Sequence, residues 1–413
     1  MGCLAINSER LRQDLEALSQ IGRGEDQGVY RSAFSKADME ARQWLKSQIE
    51  AAGLQIYQDG AANVHARLSW DGKTSSVVTG SHIDSVPGGG KLDGALGVIA
   101  GLECLRRIKE LDLPLKHPLE SIAFSDEEGR FGGIFGSRAI CGLLTPESIY
   151  HACDLNGTTL TQAMANHGLN AMDALSAVRQ PESIHAFVEL HIEQGPVLER
   201  QNLHIGVVDG IAGLFKWNVF LVGVAAHAGA TPMEMRQDAF QGVAEFSMEL
   251  SRILEEHGSP RSVATIGRVE LSPGAANVVP NKVEFSLDVR DTNPDILNAL
   301  GDAMRRALSA IARRRNLMFE FEVLSEITPV RCHSHVTQII ADVANKLGIN
   351  HTHMPSGAAH DTQIMAKITR AGMIFVPSKG GRSHSPAEWT DWQDIENGTN
   401  LLLNTLYQLA QET

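Results

Sequence analysis

Polar motifs follow two short apolar runs in the first third of the chain. The run Val77–Thr79 leads into His82 and Asp84, and the run Ile122–Phe124 leads into the acidic segment 125–128. Metal-binding side chains at the carboxyl ends of neighbouring strands are typical of sites at the rim of an α/β sheet. Imidazole and carboxylate ligands without thiolate favour Zn²⁺ or Mn²⁺ held for hydrolysis over a structural cysteine site. The feature therefore predicts an α/β enzyme with a metal site at one edge of its sheet.

Strand and helix signals alternate through the first half of the chain. We predict helices over 8–53 and 94–110, and strands over 77–82, 119–125 and 186–193. Such alternation is typical of a mostly parallel sheet that is covered by helices. The pattern resumes near the C-terminus, where we predict helices over 334–347, 361–367 and 392–410 and a strand over 373–377.

The order of elements changes between residues 211 and 327. The apolar patterns there predict, in order, a strand at 217–224, a helix at 236–257, strands at 262–271 and 282–290, a helix at 293–314 and a strand at 317–324. This β-α-β-β-α-β order is the ferredoxin-like arrangement. Since 413 residues exceed one ordinary core, we predict a metal-binding catalytic domain of 1–210 and 328–413 with an inserted α+β domain of 211–327.

Charge and cysteine content argue against several protein classes. The net charge of −13 opposes binding to nucleic acid and to anionic membranes. No stretch approaches the roughly 18 apolar residues of a membrane-spanning helix, and the N-terminus lacks the pattern of a secretory signal. Five scattered cysteines without a C-x-x-C pair argue against a disulfide framework. We therefore predict a cytoplasmic protein that has no nucleic-acid or membrane partner.

The motif residues also have ordinary structural interpretations. Asp93 follows three glycines and precedes a helix, where Asp is a favoured N-cap residue. The pair Glu127 and Glu128 also fits an exposed acidic turn. Asp84 stands where it can accept a hydrogen bond from His82, as carboxylates do beside metal-bound histidines. The metal prediction depends on the set, because four strand ends each offer a histidine or a carboxylate; the later two offer His191 and His384.

Arg290 also has two interpretations. It lies in the predicted strand 282–290 of the inserted domain, where a guanidinium can bind a substrate carboxylate through two hydrogen bonds. It can equally form a surface salt bridge with Asp288 or Asp291, and the pattern alone favours this second interpretation slightly.

In these motifs the chain resembles the M20-type metallopeptidase superfamily and, within it, the hydantoinase/carbamoylase amidohydrolases. The shared motifs are G-S-H-x-D, L-D-G after a glycine-rich loop, E-E-G, E-L-H-I-E-Q-G, H-A-G-x-T-P-M, N-V-V-P, H-D and S-H-x-P-x-E. They occur in family order over nearly the whole chain. The resemblance implies a zinc-peptidase-like catalytic domain, an inserted lid and dimerisation domain, and a homodimer.

The resemblance also implies two divalent metal ions, Zn²⁺ or Mn²⁺. His82, Asp93 and His191 would surround one ion, and Asp93 as a bridge, Glu128 and His384 would surround the other. The assignment of His191 and Glu128 to their respective ions stays open, whereas the set of five is the same in either case.

Further roles follow from the same resemblance. Glu127 matches the general base, Asp84 matches the residue that orients His82, and His227 matches a lid histidine that reaches the partner subunit's active site and stabilises the oxyanion. The substrate's carboxylate and ureido groups would be held by Gln194, Asn277, Arg290 and His360.

The implied reaction is hydrolysis of the ureido C–N bond of a small N-carbamoyl amino acid or a related ureido acid. Two departures bear on the substrate: Leu214 stands where members acting on allantoate and many carbamoyl amino acids have Gln, and Ala226 stands where Asn is usual. Leu214 disfavours allantoate, while ureidoglycolate-type members also lack the Gln. The alternatives are an M20-type dipeptidase or aminoacylase, and a non-catalytic binding protein that has lost its metals.

Overall fold

The computed structural model describes residues 3–413, which form two compact units. One unit comprises the chain up to Asp209, Cys332–Ser356 and His360–Thr413, and the other comprises Gly210–Arg331 and Gly357–Ala359. The boundaries expected from the sequence, 210/211 and 327/328, lie within a few residues of the places where the chain passes from one unit to the other.

Twelve α-helices lie within residues 3–413. They are α1 (Ser8–Gln20), α2 (Lys36–Ala51), α3 (Ala95–Glu110), α4 (Phe135–Ile140), α5 (Pro146–His151), α6 (Leu160–Ala165), α7 (Val197–Gln201), α8 (Ala239–His257), α9 (Pro294–Arg314), α10 (Ser334–Leu347), α11 (Asp361–Met365) and α12 (Trp392–Leu409). Short 3-10 helices cover Ala171–Ser176, Pro181–Ser183, Met233–Met235 and Lys379–Gly381. No helix in this described part of the chain combines the length and the apolarity needed to cross a membrane.

Fifteen strands lie within the same residues. They are β1 (Gln55–Gln58), β2 (Val64–Leu68), β3 (Ser76–His82), β4 (Leu119–Phe124), β5 (Ile184–Ile192), β6 (Ile205–Ile211), β7 (Gly213–Val222), β8 (Ala226–His227), β9 (Val263–Ser272), β10 (Val278–Val279), β11 (Lys282–Asp291), β12 (Met318–Ile327), β13 (Val330–Arg331), β14 (His351–Ser356) and β15 (Ala371–Val376).

The first unit is built on a mixed sheet whose centre is parallel. Its strands follow the order β1-β2-β4-β3-β5-β15-β6, and β14 pairs with β6. The pairs β4–β3, β3–β5 and β5–β15 are parallel, while β1–β2, β2–β4 and β15–β6 are antiparallel. Every residue of β3 and β4 is buried because helices cover both faces of a parallel sheet. The predicted α/β class with a mostly parallel, helix-covered sheet is confirmed.

The second unit contains a four-stranded antiparallel sheet in the order β12-β7-β11-β9. Its core includes Phe215 and Trp217 of β7, Phe246 of α8, Phe285 of β11 and Met304 of α9. The two long helices therefore pack on one face of the sheet. This is the predicted β-α-β-β-α-β order, and the ferredoxin-like α+β fold of the inserted region is confirmed.

The helix predicted over 8–53 is wrong in its middle. Helix α1 ends at Gln20, and α2 begins only after Ser35, whose side chain caps it by accepting the amide of Asp38. Ile21, which caps the end of the first helix, has an extended backbone, and Gly22 then turns the chain with a φ of +81°, in the left-handed region that glycine tolerates. The apolar spacing on either side is helical, so the pattern itself did not mark the intervening loop.

A fully buried carboxylate stabilises the sheet of the first unit. Glu120 on β4 accepts a 2.7 Å hydrogen bond from Arg67 and a 2.9 Å bond from Arg179, and His65 lies 2.9 Å from the same carboxylate. Burial by itself raises the pKa of Glu120, but the hydrogen bond from His65 and the charges of Arg179 and Arg67 outweigh it and lower the pKa.

We expect Glu120→Gln to lower the free energy of unfolding by about 3 kcal/mol or more, because it leaves buried cations without their counter-charge. Urea unfolding of wild type and variant measures the loss. Glu284→Gln is the matched control, since Glu284 pairs with Arg268 on an exposed face of the second unit and should change the midpoint little. Equal midpoint shifts in the two variants would contradict the prediction.

Candidate metal centre

The predicted ligands lie at one edge of the sheet in the first unit. His82 is the last residue of β3, Glu128 follows β4, His191 lies near the end of β5 and His384 follows β15. Because β4, β3, β5 and β15 are neighbouring parallel strands, their carboxyl ends meet at the same edge. Four distant parts of the chain therefore converge there.

Asp93 lies between two groups of possible ligands. Its Oδ1 is 3.1 Å from His191 Nε2 and 3.8 Å from His82 Nε2, while its Oδ2 is 3.3 Å from His384 Nε2. Glu128 completes the second group, with Oε2 3.5 Å from His384 Nε2. Within each group the ligand atoms lie within 4.8 Å of one another. The two oxygens of one carboxylate thus face two different ligand groups.

A glycine lets Asp93 approach the histidines. Helix α3 begins at Ala95, and its N-cap residue is Gly94, with no side-chain capping bond. The capping interpretation of Asp93 is therefore wrong, and its carboxylate is available to the centre. Gly94 has a φ of +65°, and a Cβ at this position would lie 2.4 Å from the ring of His82. Only glycine fits here without displacing the histidine.

Backbone carbonyls orient the two buried histidines. His82 Nδ1 lies 3.0 Å from the carbonyl oxygen of Asp84, and His191 Nδ1 lies 2.9 Å from that of Ile192. Each Nδ1–H can donate to its carbonyl, which directs Nε2 toward the centre, as in metal-binding histidines. His191 Nε2 also accepts the backbone amide of Gly94 at 3.2 Å. The carboxylate of Asp84 is farther, 4.0 Å from His82, and instead accepts the backbone amides of Glu127 and Glu128 at 3.4 and 3.2 Å. Asp84 thus contacts His82 through its backbone and holds the Glu-Glu loop through its side chain.

Buried carboxylates are in excess around this centre. Burial and the charge of Asp361 raise the pKa of Glu127, burial and Asp93 raise that of Glu128 to about 7, and burial and Glu189 raise that of Asp361 to about 8. Burial also acts to raise the pKa of Asp93, but its hydrogen bonds with the histidines lower it overall. Concentrated negative charge of this kind is unfavourable without a counter-charge. A bound cation would supply it.

The residues present fit a divalent cation. Oε1 of Glu128 is buried and has no hydrogen-bond partner, and a buried acceptor without a partner costs free energy that a cation would recover. Histidine and carboxylate donors together suit Zn²⁺ or Mn²⁺. A third group of possible ligands includes Glu189 beside His191 and His360. However, Glu189 already accepts hydrogen bonds from Ser81 and Thr362.

Three other predicted site residues surround the ligand groups. Glu127 is adjacent to the first group, with Oε2 3.5 Å from His82 Nε2. Gln194 donates its side-chain amide to Asp93 Oδ2 at 2.9 Å, while its Oε1 is buried without a partner. His360 is buried, and its Nε2 lies 2.9 Å from Ser356 Oγ. Burial and the charge of His191 hold the pKa of His360 well below its usual value.

His227 and Asn277 lie together in the second unit. His227 of β8 pairs with Val278 of β10, and the amide of Ala228 donates to the carbonyl of Asn277 at 2.9 Å. The amides of Gly229 and Ala230 both donate to His227 Nδ1 at 3.1 Å. Since Nδ1 accepts two hydrogen bonds, the ring proton of neutral His227 is on Nε2. The histidine therefore offers an N–H donor from its outer side.

Arg290 forms the salt bridge that was its alternative interpretation. Its Nε and Nη2 donate to the two oxygens of Asp288 at 2.9 and 3.1 Å, and its Nη1 donates to the carbonyl of Gly357 at 2.7 Å. The Arg290 side chain remains 30% exposed, so it can still contact a ligand. Its cross-strand neighbour on β7 is Leu214, which puts an apolar side chain beside the guanidinium.

Sequence reasoning missed three polar residues at this centre. Glu189 accepts hydrogen bonds beneath the histidines, and Ser383 and Glu388 contact the Asp93 loop. All three lie inside the E-L-H-I-E-Q-G and S-H-x-P-x-E motifs, so their place in those motifs was the available signal. Nothing in the spacing indicated which atoms they contact.

The chain is similar to known proteins over most of its length. A family model described as peptidase family M20/M25/M40 matches residues 78–408. The chain is 40% identical to an N-carbamoyl-L-amino acid amidohydrolase of Geobacillus stearothermophilus over 410 residues, which cover 98% of this chain and 99% of the relative. It is 36% identical to an allantoate amidohydrolase of Escherichia coli, with 97% and 98% of the two chains covered.

A solved structure gives the same result at the level of the fold. An amidase of the hydantoinase/carbamoylase family from Burkholderia multivorans superposes with a TM-score of 0.92 at 32% identity, and 99% of each chain is covered. The resemblance expected from the motifs is thereby confirmed over the whole length. The chain belongs to the peptidase family M20/M25/M40, within its hydantoinase/carbamoylase amidohydrolases.

Proposed function

We propose that the protein hydrolyses the ureido C–N bond of a small N-carbamoyl amino acid or related ureido acid with two divalent cations, Zn²⁺ or Mn²⁺. The observation that carries the proposal is the pair of ligand groups that share Asp93, with Glu127 beside them. The activities named for the relatives, on N-carbamoyl-L-amino acids and on allantoate, support this class of bond. A homodimer is part of the proposal by family resemblance, and a cytoplasmic location is part of it because the scattered cysteines suit a reducing compartment.

Each ligand group would hold one cation. His82, Asp93 and His191 would bind the first, and Asp93, Glu128 and His384 would bind the second. Bound divalent cations lower the pKa of water and polarise the carbonyl under attack. The backbone carbonyls that fix His82 and His191 keep the two Nε2 atoms directed at the centre.

Glu127 would act as the general base. It is buried and close to His82 without belonging to either ligand group, so its carboxylate is free to accept a proton. It would take the proton of the attacking water and pass it to the leaving nitrogen. Asp84 supports this role because it holds the backbone amide of Glu127.

His227 would stabilise the oxyanion of the tetrahedral intermediate. Two backbone amides donate to its Nδ1, so the proton of the neutral ring is on Nε2, where it can be donated to a developing negative charge. By resemblance, the donor acts in the active site of the partner subunit.

The remaining predicted residues would bind the substrate. Arg290 would take the carboxylate, with its guanidinium already oriented by Asp288. Gln194 would accept a ureido N–H through its unpartnered Oε1, and Asn277 and His360 would supply further polar contacts. Leu214 lies opposite Arg290 and removes a polar contact there. This disfavours allantoate and keeps ureidoglycolate among the candidate substrates.

The first test is ammonia release from N-carbamoyl-L-amino acids, β-ureidopropionate, ureidoglycolate and allantoate. We expect turnover of at least one substrate, and a loss of about 10²–10⁴-fold in kcat for Glu127→Gln, which cannot accept the proton. Glu284→Gln is the control for the same chemical change outside the centre. Release of amino acids from dipeptides or acyl amino acids, with no ammonia from any ureido compound, would instead favour the peptidase or aminoacylase alternative.

The second test removes the metal. Chelator-treated protein should lose activity and regain it with Mn²⁺ or Zn²⁺, and elemental analysis should find two ions per chain. Because the cations bind only the folded state, each ion present at 100 times its Kd should raise the free energy of unfolding by about 2.7 kcal/mol. Full activity in protein shown to be free of divalent metal would contradict the proposal.

The third test concerns His227. We expect His227→Ala to lower kcat by about 10²–10³-fold, through loss of one oxyanion donor. If the histidine acts in the partner's site, mixing inactive Glu127→Gln and His227→Ala subunits should restore about one quarter of the wild-type activity, because half of the dimers are mixed and each has one complete site. Absence of any recovery after verified subunit exchange would contradict action across the dimer.

A further inference from the structure

Glu388 joins the two loops that carry Asp93 and His384. It is 4% exposed, and its Oε1 accepts the backbone amides of Leu92 and Asp93 at 2.8 and 3.0 Å. Almost 300 residues of chain separate these partners. The carboxylate therefore fixes the backbone of Asp93 from the loop that follows β15.

Ser383 extends this link to the carboxylate of Asp93. Its hydroxyl lies 2.7 Å from Asp93 Oδ2 and 3.1 Å from Glu388 Oε2. A hydroxyl has a single proton, and the nearer oxygen, that of Asp93, is the better acceptor. Oδ2 is the oxygen that faces His384 and Glu128, so the contact lies on the side of the second ligand group.

The glycine-rich loop is shaped to admit Glu388. A Cβ added to Gly90 would lie 2.1 Å from the carboxyl carbon and Oε1 of Glu388. Real side-chain atoms do not approach so closely, so a residue other than glycine would displace the carboxylate. The glycine-rich loop and Glu388 thus pack directly against each other beside Asp93.

We propose that Glu388 is a positioning residue that, together with Ser383, sets the orientation of the Asp93 carboxylate toward the second cation. Glu388 is neither a ligand nor the base in this scheme, and it acts through Asp93. The inference rests on the two-cation function proposed above. Hydrogen bonds to ligating carboxylates tune both their direction and their affinity for metal.

The test titrates chelator-treated protein with Co²⁺ or Mn²⁺ and measures the affinity of the ion held by the second ligand group. Calorimetry gives the affinity, and the visible absorption of Co²⁺ reports the geometry of its ligands. We expect Glu388→Ala to lower the affinity for the second ion by about 10- to 100-fold and to change the Co²⁺ spectrum. Ser383→Ala should change the affinity and the spectrum in the same direction. Gly90→Ala retains the carboxylate but displaces it, and should also weaken the second ion.

Two variants separate positioning from simple loss of stability. Glu388→Gln should keep an affinity near that of wild type, because its carbonyl accepts the two amides and its NH₂ can donate to Ser383. Asp238→Ala removes another carboxylate that accepts two backbone amides, those of Phe240 and Gln241 at the start of α8. It should lower the unfolding midpoint and leave ion affinity unchanged.

The outcomes distinguish this inference from the function on which it rests. Two ions bound with wild-type affinity in both Glu388→Ala and Ser383→Ala would overturn the positioning role while leaving the proposed function intact. The same holds if Asp238→Ala weakens the second ion as much as Glu388→Ala does. Wild-type protein that binds fewer than two ions would overturn the two-cation proposal and the positioning role with it.

Discussion

The centre depends on one carboxylate having two ligand groups within reach. Asp93 presents Oδ1 to His82 and His191 and Oδ2 to His384, so its position decides whether the groups can share a ligand. That position requires a glycine on the following residue, because any Cβ at Gly94 would meet the His82 ring. The local backbone is thus constrained by the need to bring one carboxylate close to two histidine-bearing strand ends.

The parallel sheet makes this convergence possible. Adjacent parallel strands end at the same edge, so β4, β3, β5 and β15 deliver side chains from residues 82 to 384 into one small volume. Burial then gives the centre its chemistry. Carboxylates crowded away from water keep raised pKa values until a counter-charge is present, as Glu127 and Glu128 do here. The same burial that makes the fold stable makes the centre favourable for a cation.

The motif residues that were proposed as ligands lie together in the structure, but the motifs did not predict the contacts that hold them. The parallel sheet, the inserted ferredoxin-like region and the family were predictable, because apolar periodicity and motif order both survive in a single sequence. The capping interpretation of Asp93 and the continuous helix over 8–53 were wrong, since local patterns do not report the tertiary contact of Gly94 or the turn at Gly22. Glu388 was not assigned, because a carboxylate that binds distant backbone amides leaves no periodic signal.

Glu127 and Glu128 illustrate how one loop can separate two roles. Asp84 accepts the amides of both residues, which fixes the backbone at the point where the two side chains diverge. Glu127 then faces His82, while Glu128 faces His384 at the second ligand group. If the loop could rotate, either carboxylate could contact either ligand group. The proposed ligand and the proposed base would then compete for the same position. The conformation set by Asp84 therefore distinguishes two chemically identical neighbours, which is a requirement for any mechanism that needs one of them unbound.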